Sequence, residues 1–158
     1  MTAGSSQTPE QRLEALGLRL PTPPTPVAAY IPAKRVGSLV YVSGQIPVRG
    51  GALIATGRVP TEVGLAIAVE CARQCALNGL AVLKAQVGEL RRVKNVVRLG
   101  GFVSCGADFW DQPEVINGAS ELMVKVFGEA GRHARAAVGA PSLPLNAPVE
   151  VEFLFEVE

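Results

Sequence analysis

The nine residues V-E-V-E-F-L-F-E-V at Val149–Val157 restrict the fold more than any other stretch of the chain. Alternation with a period of two marks a β-strand that buries one face. Val149, Val151, Phe153, Phe155 and Val157 fall on one side, and Glu150, Glu152 and Glu156 on the other, where Leu154 interrupts them. A chain with this strand must cover one sheet face completely and part of the other.

The cover is written in two helical stripes. Leu65, Val69, Ala72, Ala76, Leu80, Leu83 and Val87 recur at helical spacing, which predicts a helix from Thr61, as N-cap, to Val87 before Gly88. Val115, Ala119, Leu122 and Val126 make a second stripe, with Met123 and Phe127 beside it. Asp111 is its expected N-cap, Pro113 sits in the first turn, Glu114 is placed for a capping box, and Gly128 or Gly131 ends it. Further strands are expected at Val27–Ile31, Ser38–Gln45, Val93–Val103 and Ala134–Ala140, with a hairpin over Val48–Ile54 turning at Gly50-Gly51. The order β-β-β-α-β-α-β-β describes an α+β sheet with both helices on one face. Two helices leave the other face open, yet Leu39, Tyr41 and Leu154 are apolar positions that need cover, so a homo-oligomer is expected. Glu10–Leu18 can form amphipathic turns, ended by P-T-P-P-T-P at Pro21–Pro26. Residues 1–26 therefore read as an arm on one domain spanning 27–158, a length that suits a single core.

Charge and cysteine content exclude several functions. A formal net charge of +1 gives no bulk attraction to nucleic acid or anionic lipid. Arg91, Arg92, Lys94 and Arg98 alternate with valines and lack aromatic neighbours, as on a solvated strand face. No run approaches the roughly 20 continuous apolar residues of a membrane helix, and the N-terminus has no basic start followed by an apolar run. Three cysteines make no disulfide framework, which points to the cytoplasm. Cys71 and Cys75 read as small core residues, and with one histidine, His133, no four-ligand metal site is expected. Cys105 would need His133 as its base to act as a nucleophile.

Arg135 and Glu150 are the candidates for chemistry. Arg135 lies among small apolar residues, which suggests partial burial and a need for an anion. Ser142–Pro148 is a Pro/Asn segment that lets two strands reverse. If the strands on either side pair, guanidinium and carboxylate reach one cleft, either as a structural ion pair or as a ligand site.

The segments Y-V-S-G-Q-I-P at Tyr41–Pro47, H-A-R-A-A-V at His133–Val138, L-P at Leu143-Pro144 and V-E-V-E at Val149–Glu152 resemble the Rid family of reactive-intermediate deaminases, also called YjgF-like or L-PSP proteins. V-I-N-G-A-S and F-G-E-A-G-R-H-A-R resemble its longer branch. The resemblance runs from about Val27 to the C-terminus. It implies a chorismate-mutase-like mixed sheet with two long helices on one face, assembled as a homotrimer with clefts between subunits. It further implies hydrolysis of small 2-imino acids to 2-keto acids and ammonia, with no metal and no cofactor. Arg135 would grip the substrate carboxylate through two parallel hydrogen bonds, which a lysine cannot supply, and Glu150 would activate water. Tyr30, Ser43, Gly44, Phe109 and Asn117 match the family's substrate-binding positions, while Ala137 stands where relatives often carry a reactive cysteine. Two other functions fit the same cleft: a non-enzymatic carboxylate-binding regulatory trimer, and the endoribonuclease of the family's older label.

Overall fold

A computed structural model describes residues 6–25 and 29–158. The elements are α1 (Pro9–Ala15), β1 (Ala33–Val36), β2 (Leu39–Gln45), β3 (Val48–Arg49), β4 (Ala52–Leu53), α2 (Leu65–Val87), β5 (Val93–Ser104), α3 (Gln112–Phe127), β6 (Ala134–Ala140) and β7 (Val149–Val157). Five strands form a mixed sheet in the order β1-β2-β7-β5-β6, in which β5 and β6 run parallel and the other neighbours antiparallel. Helices α2 and α3 cover one face, so the expected α+β architecture is the observed one.

The alternation in β7 works as its sequence predicts. Val149, Val151, Phe153, Phe155 and Val157 are all buried under the helices, while Glu150, Glu152, Leu154 and Glu156 are half-buried on the open face. Tyr41, Val36 and Val138 remain well exposed on that open face.

Strand pairing overturns one expectation. The segment after β6 is not a hairpin, because β5 lies between β6 and β7 and pairs with both. Residues 144–146 instead form a single 3-10 turn, with Leu145 and Asn146 at φ 58° and 60°.

The ends of the elements bring further corrections. Helix α2 starts at Leu65, after an extended Gly64, rather than at Thr61. The preceding residues make their own turn: Glu62 and Val63 both donate to the Arg58 carbonyl, and Val59 is tied to Ser104. Helix α3 begins after Asp111 as expected, but Asp111 makes no side-chain cap and Glu114 closes no capping box; the Glu114 N–H donates to the Asp111 backbone carbonyl. Part of the strand expected at Val27–Ile31 lies outside the described residues, and 29–31 are unpaired; the first strand is β1. The hairpin does turn at Gly50-Gly51, both at positive φ, and β3 pairs with β4.

Helix α2 is buried on every side from Gln74 to Leu83, between sheet, α3 and the β3–β4 hairpin. Its length and mean hydropathy of 1.3 would suit a membrane span, but 67% of that window is inside the fold, so it is a core helix. Its polar residues are bonded: Gln74 donates to Asn78, whose Nδ2 donates to the Ile46 and Val48 carbonyls and pins the hairpin. Helix α1, capped by a Thr8–Gln11 capping box, lies against α3. Arg12 donates to the Val126 carbonyl, Glu10 accepts from the Leu90 N–H, and Leu13 is buried.

The two long helices cross closely because Gly118 has no side chain; a Cβ there would stand 2.1 Å from the Val69 carbonyl oxygen. Gly118→Ala must therefore separate α2 from α3 and should cost about 1–3 kcal/mol. Gly64→Ser, where a Cβ meets nothing within 4 Å and the α2 N-cap accepts serine, is the control. Chemical denaturation of both variants checks this, with only the first losing stability.

Candidate functional site

Arg135 lies on the edge strand β6, in register with Leu99 of β5. Paired residues share a face, and Leu99 is fully buried under the helices, so Arg135 projects toward α3. There Nη1 donates to Asn117 Oδ1 at 2.7 Å and to Ser120 Oγ at 3.1 Å. Both hydrogens of Nη1 are thereby used. Nε and Nη2 have no protein partner among the described residues, and the side chain is exposed rather than partly buried. The anchor itself explains how a charged group can be held rigidly at the rim of the helical layer.

Glu150 lies in register with Phe102 on β5, which puts it on the opposite face from Arg135. The two strands are two places apart in the sheet, about 10 Å between axes. Within one chain Arg135 and Glu150 therefore form neither an ion pair nor a shared cleft. Glu150 has no ion-pair partner among the described residues, whereas Glu152 pairs with Arg98 at 3.3 Å. Burial, then the charge of Glu152, pushes the Glu150 carboxyl above its ordinary value. Gly44 makes this possible. Strand β2 shifts register against β7 between Val42 and Gln45, and Gly44 lies in that irregularity. A Cβ on Gly44 would fall 2.2 Å from Glu150 Oε1, so only glycine lets the carboxylate lie against the β2 backbone.

The other expected residues divide between these two centres. Ser43 donates its hydroxyl to the Ile31 carbonyl and its N–H to Pro32, which ties the Tyr30 segment to β2 beside Gly44. Tyr30 itself is 62% exposed. Asn117 belongs with Arg135, as its anchor. Phe109 is buried in the core, and its carbonyl accepts from Gln112. Larger hollows lie elsewhere: about 530 Å³ between α1 and Lys84, about 480 Å³ along α1 beside Gln11 and Glu14, and about 400 Å³ between α2 and α3. A depression of about 330 Å³ on the open face includes Ser43 and Glu152 but not Glu150 or Arg135.

The thiols are core residues. Cys71 and Cys75 are fully buried; burial, reinforced by Glu70, raises the Cys71 thiol to about 11, and burial raises that of Cys75 further above its ordinary range. Cys105 follows the C-terminal end of β5 and donates its N–H to Ala140, at the far end of β6 from His133, about 20 Å along the strand. His133 therefore cannot serve it as a base. Instead His133 contacts Ser120, and neither was expected at the site. The signal is in the sequence: Asn117 and Ser120 are three apart on a helix and share a face, and His133 stands just before β6, two residues from Arg135. Among the described residues no group of three His, Cys, Asp or Glu side chains converges as metal ligands would.

Residues 10–157 match the family described as "YjgF/chorismate mutase-like, putative endoribonuclease". Protein TCP17 of Trypanosoma cruzi is 40% identical, with 92% of this chain and 91% of that protein aligned. A protein of the mite Dermatophagoides farinae named 2-iminobutanoate/2-iminopropanoate deaminase is 31% identical over 87% of this chain and 93% of its own length. The crystal structure of Atu1372 from Agrobacterium tumefaciens superposes with a TM-score of 0.90 at 46% identity, covering 95% of this chain and 92% of the other.

The raised Glu150 carboxyl makes a stability prediction. Because its folded value lies above the unfolded 4.5, the unfolded chain binds fewer protons between the two values, and Glu150 opposes folding once ionised. Glu150→Gln should melt higher than the wild type near neutral pH, and the gain should shrink as pH falls toward 4.5. Thermal scans at the two pH values check both parts.

Proposed function

The chain belongs to the YjgF/chorismate mutase-like family, and we propose that it hydrolyses small 2-imino acids to 2-keto acids and ammonia at sites built between copies of itself. The observation that carries this reading is the pair of complementary half-sites. Arg135 offers an unused guanidinium edge on one side of the sheet, and Glu150 is an unpaired, half-buried carboxylate on the other. The mite relative named as a 2-iminobutanoate/2-iminopropanoate deaminase supports the choice of substrate.

One copy cannot join these groups, so a second copy has to. The open face presents Val36, Tyr41 and Val138, which need cover, and β6 is an edge strand with one side unpaired. A closed ring of three copies covers these surfaces and sets Arg135 of one protomer toward Glu150 of the next. Tyr30, Ser43 and Gly44 accompany Glu150 at this junction, and Asn117 accompanies Arg135.

In the proposed reaction Arg135 holds the substrate carboxylate through two parallel hydrogen bonds. Glu150 takes a proton from water as the water oxygen bonds to the iminium carbon, giving a carbinolamine. The protonated Glu150 then returns that proton to nitrogen, the C–N bond breaks, and the hydroxyl proton passes to the re-ionised Glu150 as the C=O forms, from which the departing ammonia takes it as ammonium. The raised Glu150 value suits both steps, since the group must accept and then release a proton. The substrate's own positive charge supplies the electrophile. We place the activity in the cytoplasm, where the three buried cysteines stay as free thiols.

The endoribonuclease in the family description is a weaker fit. Glu150, Glu152 and Glu156 line the open face, Arg98 is taken up by Glu152, and Arg91 pairs with Glu89. Neither arginine is left free to hold a phosphate.

Freshly generated 2-iminopropanoate tests the proposal. Wild type should accelerate 2-oxopropanoate formation, and Arg135→Ala should lower kcat/KM by about 100-fold or more. Saturable binding of 2-oxopropanoate without turnover of the imine would replace the enzyme with a carboxylate-binding protein.

A further inference from the structure

The side chains behind Arg135 form a directed chain of hydrogen bonds. His133 Nδ1 lies 2.6 Å from the Gly131 carbonyl, and Nε2 lies 2.9 Å from Ser120 Oγ. A carbonyl oxygen can only accept, so Nδ1 carries the proton. In the neutral ring Nε2 is then an acceptor, and the Ser120 hydroxyl must donate to it. That leaves the lone pairs of Ser120 Oγ facing Arg135, from which it accepts at 3.1 Å. The base of the chain cannot drift, because Gly131 is packed against α3; a Cβ there would stand 2.2 Å from the Met123 carbonyl oxygen.

From this arrangement we infer that Ser120 and His133 are positioning residues for the carboxylate subsite, acting through Arg135. We further infer that the ligand's carboxylate docks side-on against the Nε–Nη2 edge. The reasoning is a count of hydrogens. Nη1 has two, one committed to Asn117 Oδ1 and the other to Ser120 Oγ. An end-on carboxylate bridging Nη1 and Nη2 would have to break one of these bonds. The Nε–H and the parallel Nη2–H remain, and they match the two oxygens of a planar carboxylate. Turning the serine hydroxyl away from His133 would remove the acceptor that holds the guanidinium in this attitude. The assignment of a carboxylate ligand rests on the function proposed above; the anchoring of Arg135 does not.

Three variants separate this role from a merely structural one. Ser120→Ala removes the acceptor. His133→Asn retains a donor where Nδ1 meets Gly131 but loses contact with Ser120. His133→Gln places an amide oxygen where Nε2 accepts from Ser120. In the free proteins, side-chain 15N spectra of Arg135 should show hindered guanidinium rotation in wild type and His133→Gln, and averaged signals in Ser120→Ala and His133→Asn. Titration with 2-oxopropanoate should shift the Arg135 Nε–H signal in wild type. Its Kd should rise about tenfold in Ser120→Ala and His133→Asn, and stay near wild type in His133→Gln. KM for the imine should rise with Kd while kcat changes little. Identical Arg135 spectra in all four proteins would overturn the anchor, and 2-oxopropanoate binding that ignores Ser120 or leaves Nε–H unmoved would overturn the side-on subsite. Hindered rotation and binding in a wild type that leaves the imine unhydrolysed would sink the deaminase reading and keep the anchor.

Discussion

The insertion of β5 between β6 and β7 is the constraint on which the rest of the structure depends. It pairs with β7 antiparallel and with β6 parallel, and carries α3 in its crossover to β6. A direct β6–β7 hairpin would have set Arg135 and Glu150 on neighbouring strands. With β5 between them, register and alternation turn the arginine toward the rim of the helical layer and the glutamate onto the open face. On the proposed function the protomer thus carries two half-sites, on opposite faces of its sheet, each lacking what the other has.

Each half-site is prepared by an ordinary structural device. On the open face, the register shift in β2 and the missing side chain of Gly44 bring backbone against the Glu150 carboxylate, which loses water without gaining a cation. The cost appears as a carboxyl raised above its ordinary value, first by burial and then by the charge of Glu152. At the helical rim the logic is reversed. Arg135 stays exposed but is clamped at one nitrogen by Asn117 and Ser120, so its charge is available while its direction is fixed. Preorganisation of this kind lowers the entropy lost when a small anion binds.

Much of this was legible in the sequence where the signal is local. The period-two run of β7, the apolar stripe of α3 and the glycine pair of the β3–β4 turn depend only on near neighbours, and each appears as read. Sheet order does not depend on near neighbours, which is why the Pro/Asn segment at Ser142–Pro148 suggested a hairpin that β5 forestalls. The start of α2 was misplaced because Val59 is held by Ser104, far away in sequence, and the intervening turn closes on Arg58. Arg135 looked partly buried among alanines because nothing local shows that β6 is an edge strand.

Subunit mixing tests the central claim most directly, because it asks whether the two half-sites meet across a boundary between copies. Arg135→Ala and Glu150→Gln chains are each expected to be inactive alone. Unfolded together in equal amounts and reassembled, they should regain about a quarter of the wild-type rate, since random assortment places an intact arginine opposite an intact glutamate at one junction in four. A mixture as inactive as its components, although shown to contain both chains in one assembly, would contradict the account.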